Sequence, residues 1–190
     1  MVRTIICLVR HGQTDWNKKY LIQGRYDIPL NDTGREQIHK TSNKLKNLNV
    51  NWNVFVSSPL SRAYETCEII CNDLGYQNVT IEKRDNLIER EFGEADGIPI
   101  SDETYENILN DNYKGMEKSF EINERAINEI LDIAKKYPNK NVLATTHSHF
   151  IKGVFTTLDK NISFRSTLYN GALNFIIVEN NKIIEFYFNK

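Results

Sequence analysis

Short unbroken apolar runs alternate along the chain with stretches where apolar residues return every three or four positions. Ile5-Ile6-Cys7-Leu8-Val9, Val54-Phe55-Val56 and Val142-Leu143-Ala144 are runs of the first kind. A strand covered on both faces reads this way, because none of its positions faces water. The pattern predicts strands over residues 4–10, 54–56, 79–83 and 141–146. Ile38, Leu45 and Leu48 keep helical spacing, as do Ala126, Ile127, Ile130, Leu131 and Ala134 within 123–137, closed by Pro138. Thr33 with Glu36 reads as a capping box for the first of these helices. Ser58 and Pro59 suit the cap and first turn of another, which carries Arg62, Cys67 and Cys71. Segments 174–178 and 182–188 flank Asn180-Asn181 and read as a terminal hairpin.

Strands alternating with helices predict an α/β fold, a three-layer α/β/α sandwich with a mainly parallel central sheet and an antiparallel edge. At 190 residues the chain fits a single domain over 1–190. Residues 98–118 are polar and acidic with only short helical character, so 85–118 is read as a lid or substrate-specificity segment.

A formal net charge of −1 supplies no basic field, which argues against nucleic acid or an anionic membrane surface as partner. Any anion must be caught by a few aimed cations. No apolar run is long enough for a signal peptide core or a spanning helix, and three cysteines (Cys7, Cys67, Cys71) in apolar or helical settings suit buried thiols. A cytoplasmic protein is expected. Nothing in the sequence sets the oligomeric state, and a dimer is as compatible with it as a monomer.

The first apolar run ends in Arg10-His11-Gly12, which sets a cation and an imidazole at a strand's carboxyl edge, where open α/β sheets bind ligands. Arg10 offers a planar fork that fits phosphate oxygens. His11 is nucleophilic at neutral pH once its second nitrogen is held. Gly12 is expected to let backbone approach an anion. The bland reading is a surface arginine and histidine closing a strand, and for Arg62 a solvated side chain. Among Glu89, Glu91, Glu94 and Asp96 the residues alone do not choose a proton donor. His147-Ser148-His149 leaves a metal pair open, with His39 as a further ligand; His39 reads more simply as a helix-surface residue, and His149 as a helix-start or supporting residue.

Arg10-His11-Gly12-Gln13-Thr14-Asp15-Trp16-Asn17 resembles the signature of the histidine phosphatase superfamily, which contains the cofactor-dependent phosphoglycerate mutases and many phosphatases. Further blocks resemble the same family: Gly24-Arg25 to Gly34, Ser57-Ser58-Pro59-Leu60 with Arg62-Ala63 and Thr66, Leu87 to Gly97 around Glu89, and the strand ending at His147. Ser148 stands where the family commonly has glycine. The resemblance covers nearly the whole length. It implies a nucleophile at His11, a phosphate cradle of Arg10, Arg62 and His147, and a proton donor at Glu89. Asn17, Gln23, Gly24, Ser148 and Arg90 are implied as further substrate- or phosphate-binding residues, and turn chemistry competes for Gln23, Gly24 and Asp27. It implies no cofactor and no metal, since side chains supply the cations. The expected activity is hydrolysis of a small phosphorylated metabolite, such as α-ribazole phosphate, a sugar phosphate or a phosphoglycerate. A phosphoglycerate mutase is the alternative, because Glu89-Arg90-X-Phe92-Gly93 resembles the mutase form. The acidic 98–118 stretch weighs against it, being ill suited to a doubly phosphorylated ligand. A non-catalytic phosphate-binding module is the remaining possibility.

Overall fold

Strand β1 (Arg3–Arg10) runs through the interior of a six-stranded sheet in the computed structural model, which describes residues 2–189. The other strands are β2 (Val54–Ser57), β3 (Ile81–Lys83), β4 (Asn141–Thr146), β5 (Leu173–Glu179) and β6 (Lys182–Tyr187). Their order across the sheet is β3-β2-β4-β1-β5-β6. The first four are mutually parallel, while β5 runs antiparallel to β1 and β6 antiparallel to β5, as expected of a mainly parallel sheet with an antiparallel edge. Asn180 and Asn181, with φ of 47° and 63°, make the turn between β5 and β6, the conformation that two-residue hairpins favour and asparagine tolerates.

Six α-helices lie among the described residues: α1 (Asp15–Lys18), α2 (Asp32–Asn47), α3 (Ser61–Asp73), α4 (Asp102–Leu109), α5 (Ser119–Lys136) and α6 (Ser148–Leu158). Alternation along β1 divides the core. Cys7 and Val9 pack with Ile38 and Leu45 of α2 and with Cys67 and Ile70 of α3. Ile6 and Leu8 pack on the other face with Ile130 of α5 and with Phe150, Ile151 and Val154 of α6. Each sheet face thus carries one helix pair. A third apolar cluster, Ile22, Phe92, Ala95, Ile108 and Met116, lies within and beside the 85–118 segment and gives it packing of its own. Among the described residues no helix is long and apolar enough to cross a membrane.

Three helix starts differ from the sequence expectation. Thr33 lies inside α2; the cap is Asn31, whose side chain accepts from the Gly34 N–H at 2.8 Å. Asparagine caps as well as threonine, and the Asn31 N–H also donates to the Gln13 carbonyl, which pins the helix start to the His11 loop. Helix α3 begins at Ser61, beyond Ser58 and Pro59. Its free N–H at Ser61 donates to the Asp27 carboxylate at 2.7 Å, a cap delivered from a different loop. Helix α5 starts four residues ahead of expectation, at Ser119, and β3 loses its two expected first residues, Val79 and Thr80, which are exposed.

Gly12 also plays a part other than the expected one. A Cβ there would lie 2.5 Å from the Gly34 carbonyl oxygen of α2. Close passage of two backbones by itself requires glycine at this position.

Candidate active site

Because β1 and β4 are adjacent, parallel and paired in register through Arg10 and Thr146, the residues just past their carboxyl ends emerge side by side. These are His11 and His147, with ring centroids 5.2 Å apart. The His11 N–H donates to the Thr146 carbonyl at 3.0 Å, which fixes that spacing through backbone alone. The first turn of α3 brings in Arg62, and the loop after the 3-10 turn at Asp85–Leu87 brings in Glu89. Arg10, His11, Arg62 and Glu89 line one cavity of about 490 Å³. Asn17, Gln23, Gly24 and Ser148 also reach its wall.

His11 is buried, with Nδ1 2.7 Å from the Gly12 carbonyl. A carbonyl only accepts, so Nδ1 carries the hydrogen and Nε2 holds a lone pair. Burial, then the Arg62 and Arg10 cations, keep the imidazole pKa well below its usual value, so the ring is neutral. His147 is wholly buried beside it. Its Nε2 pairs with Ser58 Oγ at 2.7 Å, while its Nδ1 has no partner among the described residues. Burial first, and Arg62 next, depress its pKa too.

The two arginines are held by carbonyls. Arg62 donates to Tyr26 O at 2.7 Å and Gly24 O at 2.9 Å, and Arg10 donates to Leu168 O. The Nε of each is buried and without a partner among the described residues. Burial lowers Arg62 to about 10, which leaves it charged at neutral pH. Cations that keep a buried Nε donor unspent are what an incoming anion requires.

Glu89 sits at the amino end of α6. Its Oε1 accepts from the N–H groups of Arg90 (2.9 Å), His149 (3.0 Å) and Phe150 (3.2 Å), whereas Oε2 has one longer contact, 3.3 Å to His149 N. Asn17 closes a capping box with Thr14, so its Oδ1 is engaged and its amide nitrogen is the atom open to an anion. Gln23 accepts from Thr14 Oγ at 2.8 Å. Gly24, at φ +49°, presents its carbonyl to Arg62. Ser148 is the first residue of α6.

Arg90 does not belong to this group. Its guanidinium is fully buried away from the cavity, paired with Asp111 and donating to the Glu117 carbonyl at 2.8 Å. It ties the 85–118 segment to the start of α5 instead of meeting a ligand. Asp27 resolves as the tertiary cap of α3. His39 hydrogen-bonds Asp73 on the surface at 2.7 Å. His149 packs on Phe164, with ring centroids 4.8 Å apart, and edge-on to Phe92. Among the described residues no group of three or more His, Cys, Asp or Glu side chains is placed to hold a metal ion.

Two contributors escaped the sequence reading. Segment 165–168 forms part of the cavity wall, and Lys152 reaches it from α6. The available signal for Lys152 was a lone charge amid Phe150, Ile151, Val154 and Phe155, since an unpaired lysine is rarely buried.

A family model described as "Histidine phosphatase superfamily (branch 1)" matches residues 6–185. The chain is 38% identical over 155 residues to the uncharacterized phosphatase PhoE of Bacillus subtilis, spanning 82% of this chain and 77% of that protein. It is 29% identical over 161 residues to phosphoglycerate mutase-like protein 4 of Arabidopsis thaliana, covering 79% and 69% of the two chains. Among solved structures, the phosphoglycerate mutase of Bacillus anthracis superposes with a TM-score of 0.84 at 22% identity, over 96% of this chain and 91% of that one. The phosphoserine phosphatase of Entamoeba histolytica in complex with 3-phosphoglyceric acid gives 0.80 at 24% identity, over 98% and 97%. At those identities the superpositions establish the fold. Together with the extent of the family match and the identity to PhoE, they place the chain in the histidine phosphatase superfamily, branch 1.

Proposed function

We propose that this protein hydrolyses small phosphomonoesters through a phosphohistidine at His11. The observation that carries the reading is a neutral imidazole with a free Nε2 that shares one cavity with Arg10 and Arg62, whose Nε donors are unspent. Nε2 attacks phosphorus in line with the ester oxygen, and the P–O bond breaks as the N–P bond forms. Arg10, Arg62, the Asn17 amide and His147 Nδ1 take the non-bridging oxygens, where charge concentrates in the transition state. Glu89, through the lightly engaged Oε2, gives its proton to the leaving oxygen. Water then attacks the phosphohistidine and passes a proton to Glu89. The N–P bond breaks, inorganic phosphate leaves and the imidazole is neutral again.

The mutase alternative requires further cations for a second phosphate. Arg90, which would supply one, is committed to Asp111, Arg165 on the cavity wall is paired with Glu106, and beyond the phosphate cradle the described lining residues leave only the single charge of Lys152. Hydrolysis is therefore favoured. The test is release of phosphate from p-nitrophenyl phosphate with EDTA present, with intact-mass and peptide mapping of a rapidly quenched reaction. Wild type should turn over and carry a phosphoryl group on the peptide holding residue 11. His11→Ala should remain folded and lose at least about 10⁴-fold in kcat. Given 3-phosphoglycerate and a trace of bisphosphoglycerate, the enzyme should release phosphate rather than isomerise the substrate. Turnover by folded His11→Ala at a rate near wild type would end the proposal.

A further inference from the structure

We infer that Lys152 is a specificity-determining residue: its ammonium takes a second anionic group, a carboxylate, on the alcohol portion of the substrate. This rests on the phosphomonoesterase reading and names the substrate class within it. Lys152 is 7% exposed and lines the same cavity as His11. Its Nζ donates to the Phe164 carbonyl at 2.8 Å, and among the described residues no carboxylate lies within salt-bridge distance of it. A buried ammonium held by one neutral acceptor has lost hydration without gaining a counter-charge, a costly arrangement that an anionic ligand relieves.

Its placement suits that role. Ser148 and Lys152 are four residues apart on α6, so they share a helix face about 6 Å apart along the axis. Both reach the cavity that holds the phosphate cradle. The same cavity is bounded by Ile22, Phe92, Tyr105 and Ile108, which suits a short carbon body. His149, beside Lys152, presents a buried Nδ1 without a partner among the described residues, a second polar atom for the same ligand end. Burial foremost, and Arg10 next, lower the ammonium to about 8, so it stays mostly protonated at neutral pH. A carboxylate matches its single charge. A second phosphate would bring excess negative charge that Arg165, the other lining cation outside the cradle, is less free to take because Glu106 already holds it.

The test compares kcat/KM for 3-phosphoglycerate and glycerol 3-phosphate, which differ by a carboxylate in place of a hydroxymethyl group. Glycerol 1,3-bisphosphate and p-nitrophenyl phosphate serve as further arms. Wild type should favour 3-phosphoglycerate over glycerol 3-phosphate by about ten- to a hundredfold. Lys152→Met should bring the pair within about threefold, chiefly through KM for the carboxylate ester, and Lys152→Arg should keep the preference. Circular dichroism establishes that both variants fold. Equal efficiency on the pair in wild type, or a preference surviving in folded Lys152→Met, overturns the inference while leaving the phosphatase reading intact. A larger gain from the second phosphate overturns the carboxylate assignment. No turnover of any ester, p-nitrophenyl phosphate included, removes the phosphatase reading and this inference with it.

Discussion

Replacing Glu89 by glutamine separates the proton this side chain is proposed to deliver from the hydrogen bonds it makes. Oε1 takes three backbone N–H groups at 2.9, 3.0 and 3.2 Å, and a carboxamide oxygen accepts them equally. The amide nitrogen then occupies the place of Oε2, whose single contact is 3.3 Å from His149 N. Neutral acceptors are weaker than charged ones, so the exchange should cost about 1–2 kcal/mol of stability, a fall of roughly 2–8 °C in Tm for a chain of this size. The catalytic loss should depend on the leaving group. On glycerol 3-phosphate, which departs as a poor alkoxide, kcat/KM should fall about 10²- to 10⁴-fold. On p-nitrophenyl phosphate, whose phenolate leaves unassisted, the fall should stay under about tenfold. The ratio must be taken in kcat/KM, which reports events up to phosphorylation of His11. Glu89 is also assigned to the water step, and a defect there would depress kcat for both esters alike. Losses within a factor of about three on the two esters would remove Glu89 from the acid role.

Three further outcomes follow from particular contacts. Arg62→Met deletes a cation that depresses the His11 pKa, so ¹⁵N NMR should show that imidazole titrating higher than in wild type, still below the ordinary value because burial remains. Its kcat should fall about 10²- to 10³-fold; an unmoved His11 titration would refute the electrostatic argument. Burial, then the Glu91 charge, raise Asp96 from 3.8 to about 7, so between those pH values the folded state holds a proton that the unfolded chain has released. Stability contributed by that site therefore falls as pH rises through this window, and Asp96→Asn should melt above wild type at pH 8 with the difference gone near pH 4. A pH-independent difference would refute it. Gly12→Ala drives a methyl to 2.5 Å from Gly34 O and should cost about 3 kcal/mol or more. Gly75→Ala, with open space but φ +82°, should cost about 1 kcal/mol in the same denaturant series.

What the sequence made legible and what it hid follow from the range of the interactions concerned. Strands β1 and β4 are apolar on both faces, so their runs are continuous and their limits were predicted to within a residue. His11, Arg62, Glu89 and His147 were recoverable because each stands in a local motif. The caps were misplaced for the opposite reason. Asp27 serves α3 from 34 residues away, and Asn31 is favoured by its tie to the His11 loop. Arg90 carried the look of a ligand residue from its block, but its partner Asp111 lies 21 residues on, in a stretch expected to be a loose lid. Lys152 was masked by the apolar helix around it, since spacing alone does not tell a buried cation from one that reaches solvent along its stem.

The 3.0 Å backbone bond from His11 to Thr146 means that the two imidazoles are spaced by the sheet itself. Part of the remaining cavity wall is furnished by Phe92, Ile100, Tyr105, Ile108 and residues 165–168, which lie outside every strand. Exchanges in those stretches can therefore retune which alcohol is accepted without disturbing the reacting nitrogen. Such a division lets one scaffold diversify its diet of esters over evolutionary time, and it offers an engineer a safe place to begin.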